Sequence, residues 1–174
     1  YKVMFDAKLH DIPNTVSKAA SAITRLGVEK ITIHTSGGIQ MLKDAVKSST
    51  AAAEKMNVFP PLLFGVTVLT SLDDNDLKKI GYRGNYEDTV LKLAGMAVES
   101  GLDGLICSPI EVKKLKDSFG DDLMIATPGI RLSEDSHDDQ KRFSTPYSAI
   151  KNGADYLIAG RSVTSKKDTV AVIS

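Results

Sequence analysis

Asp6, Lys8 and Asp11 follow one another at the spacing Asp-x-Lys-x-x-Asp, where an apolar stretch gives way to Ile12-Pro13-Asn14-Thr15. In an extended segment side chains alternate faces, so Asp6 and Lys8 project to the same side and Asp11 lies in the turn beyond. Two carboxylates and an ammonium therefore converge at one strand end, and the use of such a set is electrostatic. Opposed charges held at a strand end cost desolvation energy, so they mark a site more often than a source of stability. The plainer alternative is that Asp11 caps the following helix while Asp6 and Lys8 form an ion pair that merely holds the strand end.

A second group lies near the other end of the chain. Gly160-Arg161-Ser162 offers backbone amides, a helix start and a guanidinium, a combination suited to a phosphate dianion. Thr127-Pro128-Gly129-Ile130-Arg131 supplies another guanidinium at a neighbouring strand end. Either arginine alone would read as a surface ion-pair residue. His10, His34 and His137 lack metal-ligand spacing and have no carboxylate or cysteine cluster beside them, so no metal site is expected. The turn Ser36-Gly37-Gly38 is explained as well by a helix start as by phosphate contact.

The elements that must position these groups alternate. A strand over roughly residues 2 to 8 leads to a helix with Pro13 in its first turn and Val16, Ala19, Ala20, Ile23 and Leu26 at helical spacing, stopped by Gly27. Lys30 to His34 is a second strand, followed by a helix with Met41, Leu42, Ala45, Val46, Ala52, Ala53 and Met56 inward. Leu62 to Leu69 is nearly continuous in apolar residues, as expected where both faces of a parallel strand are covered. A short helix from Asp74 to Ile80 and a longer one from Tyr86 to Ser100 come next. Strands at Leu102 to Cys107 and Leu123 to Thr127 flank a helix from Pro109 to Phe119. Pro128 to Ser144 then breaks the rhythm with a polar run, a length of connection usually reserved for function, often as a lid. A helix from Pro146 to Asn152 and a strand from Asp155 to Ala159 complete six strand units.

Strand and helix alternation argues for a parallel sheet, closed as an eight-stranded barrel or open and doubly wound. Polar or glycine residues end nearly every strand: Asp6 and Lys8, His34, Thr70, Ser108, Arg131 and Gly160-Arg161. A barrel gathers all of those ends around one mouth, whereas an open sheet uses mainly its switch point. The expectation is a single α/β domain over residues 1–174, a TIM (β/α)8 barrel whose first two strands precede Tyr1. The chain opens without methionine inside an apolar stretch and closes where a helical pattern is starting, so truncation is expected at both ends.

Composition excludes several classes. Twenty-two basic and 22 acidic residues leave no net charge, hence no general field for nucleic acid or an anionic membrane. No run is apolar and long enough to span a bilayer, and no signal pattern opens the chain. The single cysteine, Cys107, excludes an intrachain disulfide and reads as a small buried residue rather than a nucleophile. A cytoplasmic location fits.

The segment Asp6-Ala7-Lys8-Leu9-His10-Asp11-Ile12-Pro13-Asn14-Thr15 resembles the active-site motif of the orotidine 5'-monophosphate decarboxylase family. Val68-Leu69-Thr70-Ser71, Gly101-Leu102-Asp103-Gly104, Thr127-Pro128-Gly129-Ile130-Arg131, Asp139-Gln140-x-Arg142 with Thr145-Pro146, and Gly153-Ala154-Asp155 before Gly160-Arg161 are similar to that family in the same order, from end to end of the chain. The resemblance implies a cofactor-independent carboxy-lyase of pyrimidine biosynthesis that converts orotidine 5'-monophosphate to uridine 5'-monophosphate (UMP). It implies that Lys8 protonates pyrimidine C6 as carbon dioxide departs and that Asp6 lies against the substrate carboxylate. Asp11 would reach into the partner's site of a homodimer. Ile12, Thr15 and Thr70 would contact substrate, with Thr70 on the pyrimidine, and Arg131, Gln140, Gly160 and Arg161 would hold the ribose phosphate. Phosphate binding would close the Pro128 to Ser144 loop. Family members also carry, ahead of this motif, a ribose-contacting Asp and a second Lys in the charged network, and neither stands in this sequence. Related decarboxylases of phosphorylated keto-sugar acids share Asp-x-Lys-x-x-Asp and use a divalent metal. That activity, and phosphonucleotide binding without turnover, are the alternatives.

Overall fold

The computed structural model describes residues 2–131 and 144–170. Contacts divide the chain into two units, Tyr1–Thr67 with Gly84–Ile106, and Val68–Arg83 with Cys107–Ser174.

The first unit holds strands β1 (Met4–Leu9), β2 (Lys30–His34), β3 (Leu62–Val66) and β4 (Gly104–Ile106), all parallel and hydrogen-bonded in sequence order. Helix α1 (Pro13–Thr24) connects β1 to β2, α2 (Ile39–Met56) connects β2 to β3, and α4 (Tyr86–Glu99) precedes β4. Ile31, Ile33, Phe64 and Leu105 are completely buried, which accounts for the near-continuous apolar sequence of the inner strands. From the helices, Val16, Ala20, Met41, Leu42, Ala45, Ala94 and Ala97 fill the layer against them. Where α1 and α2 meet, Thr24 donates to its own helix at the Ala20 carbonyl (2.8 Å) and so must accept from Ser49, 2.8 Å away. The two buried hydroxyls thus satisfy each other. Gly38 begins α2 at φ 92°, a conformation that favours glycine, so the Ser36-Gly37-Gly38 turn works as a helix start.

Several boundaries differ from the sequence expectation, β4 and the last strand, Tyr156–Leu157, being shorter than their apolar stretches. Strand β3 ends at Val66 instead of Leu69. Beyond Val66, the Thr67 amide and hydroxyl both donate to the Ile106 carbonyl (3.1 and 3.2 Å), and Leu69 is exposed. Strand β1 is also irregular: Phe5 pairs with Ile31 and Leu9 with Ile33, so more residues lie between the pairs on β1 than on β2. That is a bulge, and Lys8 sits in it.

The second unit contains α3 (Asp74–Lys79), α5 (Val112–Phe119), α6 (Pro146–Lys151), α7 (Arg161–Thr164) and the parallel strands β5 (Met124–Thr127) and β6 (Tyr156–Leu157). Asp73 and Asp76 form a reciprocal capping box on α3, each carboxylate satisfying a backbone amide that the first turn leaves free. Leu77, Val112, Leu115, Ile125, Ala126 and Ala149 are among the buried apolar residues of this unit. Cys107 is buried as well; burial, with Glu111 beside it, pushes its thiol pKa well up, which leaves it inert.

One latch recurs. Gly27, Gly101 and Gly153 each take positive φ (73°, 79° and 103°) two residues before an acidic side chain. The amides of Glu29, Asp103 and Asp155 then donate to Val3, Leu63 and Ile125 at the start of the preceding strand (2.8, 3.0 and 2.9 Å). The carboxylates of Asp103 and Asp155 accept the Leu63 and Ile125 amides in return, each at 2.7 Å. Glu29 instead pairs with Lys30 at 2.7 Å. Among the described residues no helix is long and apolar enough to cross a membrane.

Candidate active site

Lys8 Nζ lies 2.6 Å from Asp6 Oδ2. Simple strand alternation does not produce this pairing, because Lys8 has φ 49°. The left-handed backbone costs a non-glycine residue about 1–2 kcal/mol. The ion pair that results is roughly half exposed on both sides, 41% for Lys8 and 50% for Asp6, and exposed pairs contribute only about 0–1 kcal/mol. Strain therefore equals or exceeds what the pair can return in stability, the balance expected of a functional arrangement.

The other oxygen of Asp6 is held from β2. Thr32 Oγ1 donates to Asp6 Oδ1 at 2.8 Å and accepts the Lys8 amide at 2.9 Å. Burial raises the Asp6 pKa, but hydrogen bonds from Lys8 and Thr32 and the charges of Lys8 and His34 outweigh it and hold the carboxyl below its ordinary value. His34 ends β2 with its ring centroid 5.4 Å from that of His10, tilted by 42°. Burial lowers its pKa, and the nearby positive charge of His10 and Lys8 adds to the effect against an opposing pull from Asp6. One ionised carboxylate, one ammonium and a histidine biased toward the neutral form thus share the end of β1 and β2.

Asp11 stays outside this ring. Its Oδ1 accepts the Ile12 amide at 2.6 Å, while Ile12 is itself the N-cap residue before α1 and makes no side-chain cap bond. Asp11, Ile12 (65% exposed) and Thr15 all face solvent at the start of α1. The helix-cap role considered for Asp11 is not what the geometry shows, since a cap accepts from the second or third helical amide.

The remaining candidates belong to the second unit. Thr70 lies half-buried in the turn after β3. Arg131 is only 8% exposed, with Nη1 donating to the Ile130 carbonyl and to Ser162 Oγ, both at 3.3 Å. Ser162 in turn donates to the same carbonyl at 2.7 Å. Among the described residues these partners are neutral oxygens, an arrangement that suits an anion. Gly160 opens α7, and Arg161 is exposed in its first position. The Arg131 amide donates to Ser144 and the Ser144 amide to Gly129, both at 3.0 Å, so the long connection has paired ends. Gln140 and His137, expected in that connection, lie outside the described residues.

The structure thus brings Asp6 and Lys8 together and buries Arg131, and it joins to them Thr32 and Ser162, which the sequence did not single out. Thr32 had a signal: it shares the period-2 face of β2 with His34, next to the strand bearing Asp6.

The orotidine 5'-phosphate decarboxylase / HUMPS family model matches residues 1–174. The chain belongs to this family. It is 46% identical to the orotidine 5'-phosphate decarboxylase of Prochlorococcus marinus (strain AS9601) over 168 residues, 96% of this chain and 69% of that one. Identity to the enzyme of the same name from Idiomarina loihiensis is 42%, covering 100% of this chain and 73% of the relative. The crystal structure of orotidine 5'-phosphate decarboxylase from Lactobacillus acidophilus superimposes with a TM-score of 0.86 at 40% identity, covering 99% of this chain and 72% of that one. The fold is accordingly of the α/β TIM-barrel class. In that family setting, the Asp6–Lys8 pair at the carboxyl end of a strand occupies the position where barrel enzymes carry their chemistry.

Proposed function

We propose that the protein decarboxylates orotidine 5'-monophosphate to UMP in pyrimidine biosynthesis, using no cofactor. The observation that carries the reading is the Lys8 ammonium held 2.6 Å from Asp6 on a strained backbone, within a family whose relatives bear the decarboxylase name.

In this reading the C6 carboxylate of the substrate lies beside Asp6. The carbon–carbon bond breaks, carbon dioxide leaves without the bonding pair, and that pair remains on C6. Lys8 Nζ gives its proton to C6 and regains one from solvent. Asp6 acts through charge: it is repulsive toward the bound carboxylate and relieved as neutral carbon dioxide forms, while the Lys8 ammonium is attractive toward the developing carbanion. Only interactions that improve on the way to the transition state accelerate the step. Arg131, Gly160, Arg161 and Gln140 bind the ribose phosphate, Thr70 the pyrimidine, and Ile12 and Thr15 complete the substrate contacts. Binding energy from the phosphate, remote from C6, helps hold the carboxylate against Asp6.

The exposed Asp11 and Ile12 support a homodimer in which Asp11 reaches the partner's site. Residues 1–174 are read as one (β/α) barrel domain of a cytoplasmic enzyme. The test is release of carbon dioxide and UMP by the purified full-length protein, with and without chelator. Turnover that survives chelation is expected. Metal-dependent turnover of a phosphorylated keto-sugar acid in its place, or UMP binding without any decarboxylation, would overturn the assignment.

A further inference from the structure

We propose that Thr32 is the positioning residue of the site, whose single hydroxyl fixes both the Lys8 backbone and the Asp6 carboxylate. The inference rests on the decarboxylase reading for its effect on rate, though not for its structural content. Thr32 has 0% exposure and stands in the middle of β2, paired on its other side with Phe64 of β3, so its own backbone is set by the sheet. A hydroxyl has one proton and two lone pairs. Here the proton goes to Asp6 Oδ1 at 2.8 Å and one lone pair receives the Lys8 amide at 2.9 Å. The second carboxylate oxygen takes the Lys8 ammonium at 2.6 Å. The result is a closed loop that runs from the Lys8 amide through Thr32 to Asp6 and back to Lys8 through its side chain.

Two consequences follow from that loop. The bulge places the Lys8 amide out of register with the β2 ladder, and the Thr32 hydroxyl supplies the acceptor, so the positive φ of Lys8 is held by a side chain of the next strand. The plane of the Asp6 carboxylate is held at both oxygens, which fixes where its charge faces the substrate. The charged and titratable groups facing Asp6 are Lys8 on its own strand and His34 on β2, with His10 behind His34. Thr32 touches no reacting atom in this scheme. Its part is to keep acid and carboxylate in one geometry, and supporting groups of this kind are commonly worth about 10–100-fold when removed.

The experiment compares Thr32→Val, which keeps shape and β-branching without the hydroxyl, with Thr32→Ser, which keeps the hydroxyl, in the full-length protein. Thr32→Val is expected to lower kcat about 10–100-fold with KM changed much less. The acid limb of its pH profile is expected to move to higher pH, because Asp6 loses a hydrogen bond to its ionised form. Thr32→Ser is expected to stay near the wild type in both. Carbon-13 NMR titration of the Asp6 carboxyl gives a readout that needs no turnover: its pKa rises in Thr32→Val and not in Thr32→Ser. An unshifted Asp6 titration with wild-type kcat in Thr32→Val, or Thr32→Ser as impaired as Thr32→Val, would overturn the proposal. If Thr32→Val yields no folded protein, Thr32→Cys replaces it as a near-isostere with a weak donor, and equal behaviour of the Cys and Ser variants overturns it likewise. Wild-type protein that releases no carbon dioxide denies the reaction, while the NMR comparison still decides the role of Thr32.

Discussion

Lys8 reaches Asp6 across 2.6 Å from a backbone turned to φ 49°, in a strand whose neighbours are otherwise extended. Sequence separation and spatial separation are both small, yet the contact depends on a bulge that lets the ammonium fold back on the carboxylate. Such a pair separates catalytic need from stability, and the two can be measured apart.

In the full-length protein, Lys8→Ala should lower turnover of orotidine 5'-monophosphate by at least about 10³-fold while leaving the circular dichroism spectrum unchanged. Lys8→Gly should be equally inactive but more stable than Lys8→Ala by about 1 kcal/mol in urea titration, because glycine adopts positive φ without the Cβ clash. Near-normal product formation by Lys8→Ala would end the assignment of its role.

Asp11 accepts the neighbouring amide and stays exposed, and its proposed service to a partner subunit is testable by mixing. Lys8→Ala and Asp11→Asn homodimers, each inactive, should regain activity after subunit exchange. One site of each mixed dimer then takes Lys8 from one chain and Asp11 from the other, both intact. No recovery despite demonstrated exchange would return Asp11 to its own chain.

His34 and Asp6 give the stability a defined pH dependence. Both have folded-state pKa values below their ordinary ones, so in the transition region the unfolded chain binds more protons than the folded chain. Stability contributed by His34 is therefore complete above about pH 6.5 and is lost as pH falls through its folded value; the Asp6 contribution is lost in the same sense at lower pH. His34→Gln should flatten the decline of Tm between about pH 7 and pH 5 relative to the wild type. Parallel curves for the two proteins would remove His34 from the account.

Gly65 lies in β3, and a Cβ there would come within 2.7 Å of Thr35 Cγ2, 2.9 Å of Leu102 Cδ2 and 3.2 Å of Ala97 Cβ. Ala97 is small and fully buried, leaving little room to yield. Gly65→Ala should destabilise by about 1–3 kcal/mol, seen as a lower denaturation midpoint at unchanged slope. A wild-type midpoint would mean that the layer above β3 relaxes freely.

Periodicity carried most of the secondary structure. Lys30 to His34 and the helix beginning at Pro13 were readable because apolar spacing and an N-terminal proline are local signals. The far end of β3 was not, since Val68 and Leu69 look as apolar as Val66, and local apolarity does not show that the pairing with β4 runs only to the Thr67–Ile106 bond. The spacing of Asp6 and Lys8 announced a shared face, but nothing in it announces a left-handed lysine, which depends on an acceptor from another strand. Arg131 stood out in the sequence as a guanidinium at a strand end, but its burial and its bond to Ser162 were not legible there. What escaped the sequence was in each case a contact between residues distant along the chain.

The glycine latches group the strands in twos. β3 with β4 and β5 with β6 are joined by both an amide and a carboxylate, and β1 with β2 by the amide alone. Each latch locks the start of its strand pair, and such locks show themselves in native-state hydrogen exchange. The amides of Leu63 and Ile125, each accepted by a carboxylate just before the following strand, should be among the slower to exchange. The pair that bears Lys8 lacks the carboxylate half, Glu29 being turned to Lys30 instead. The left-handed Lys8 thus stands in the one latched strand pair that is closed by an amide without a carboxylate.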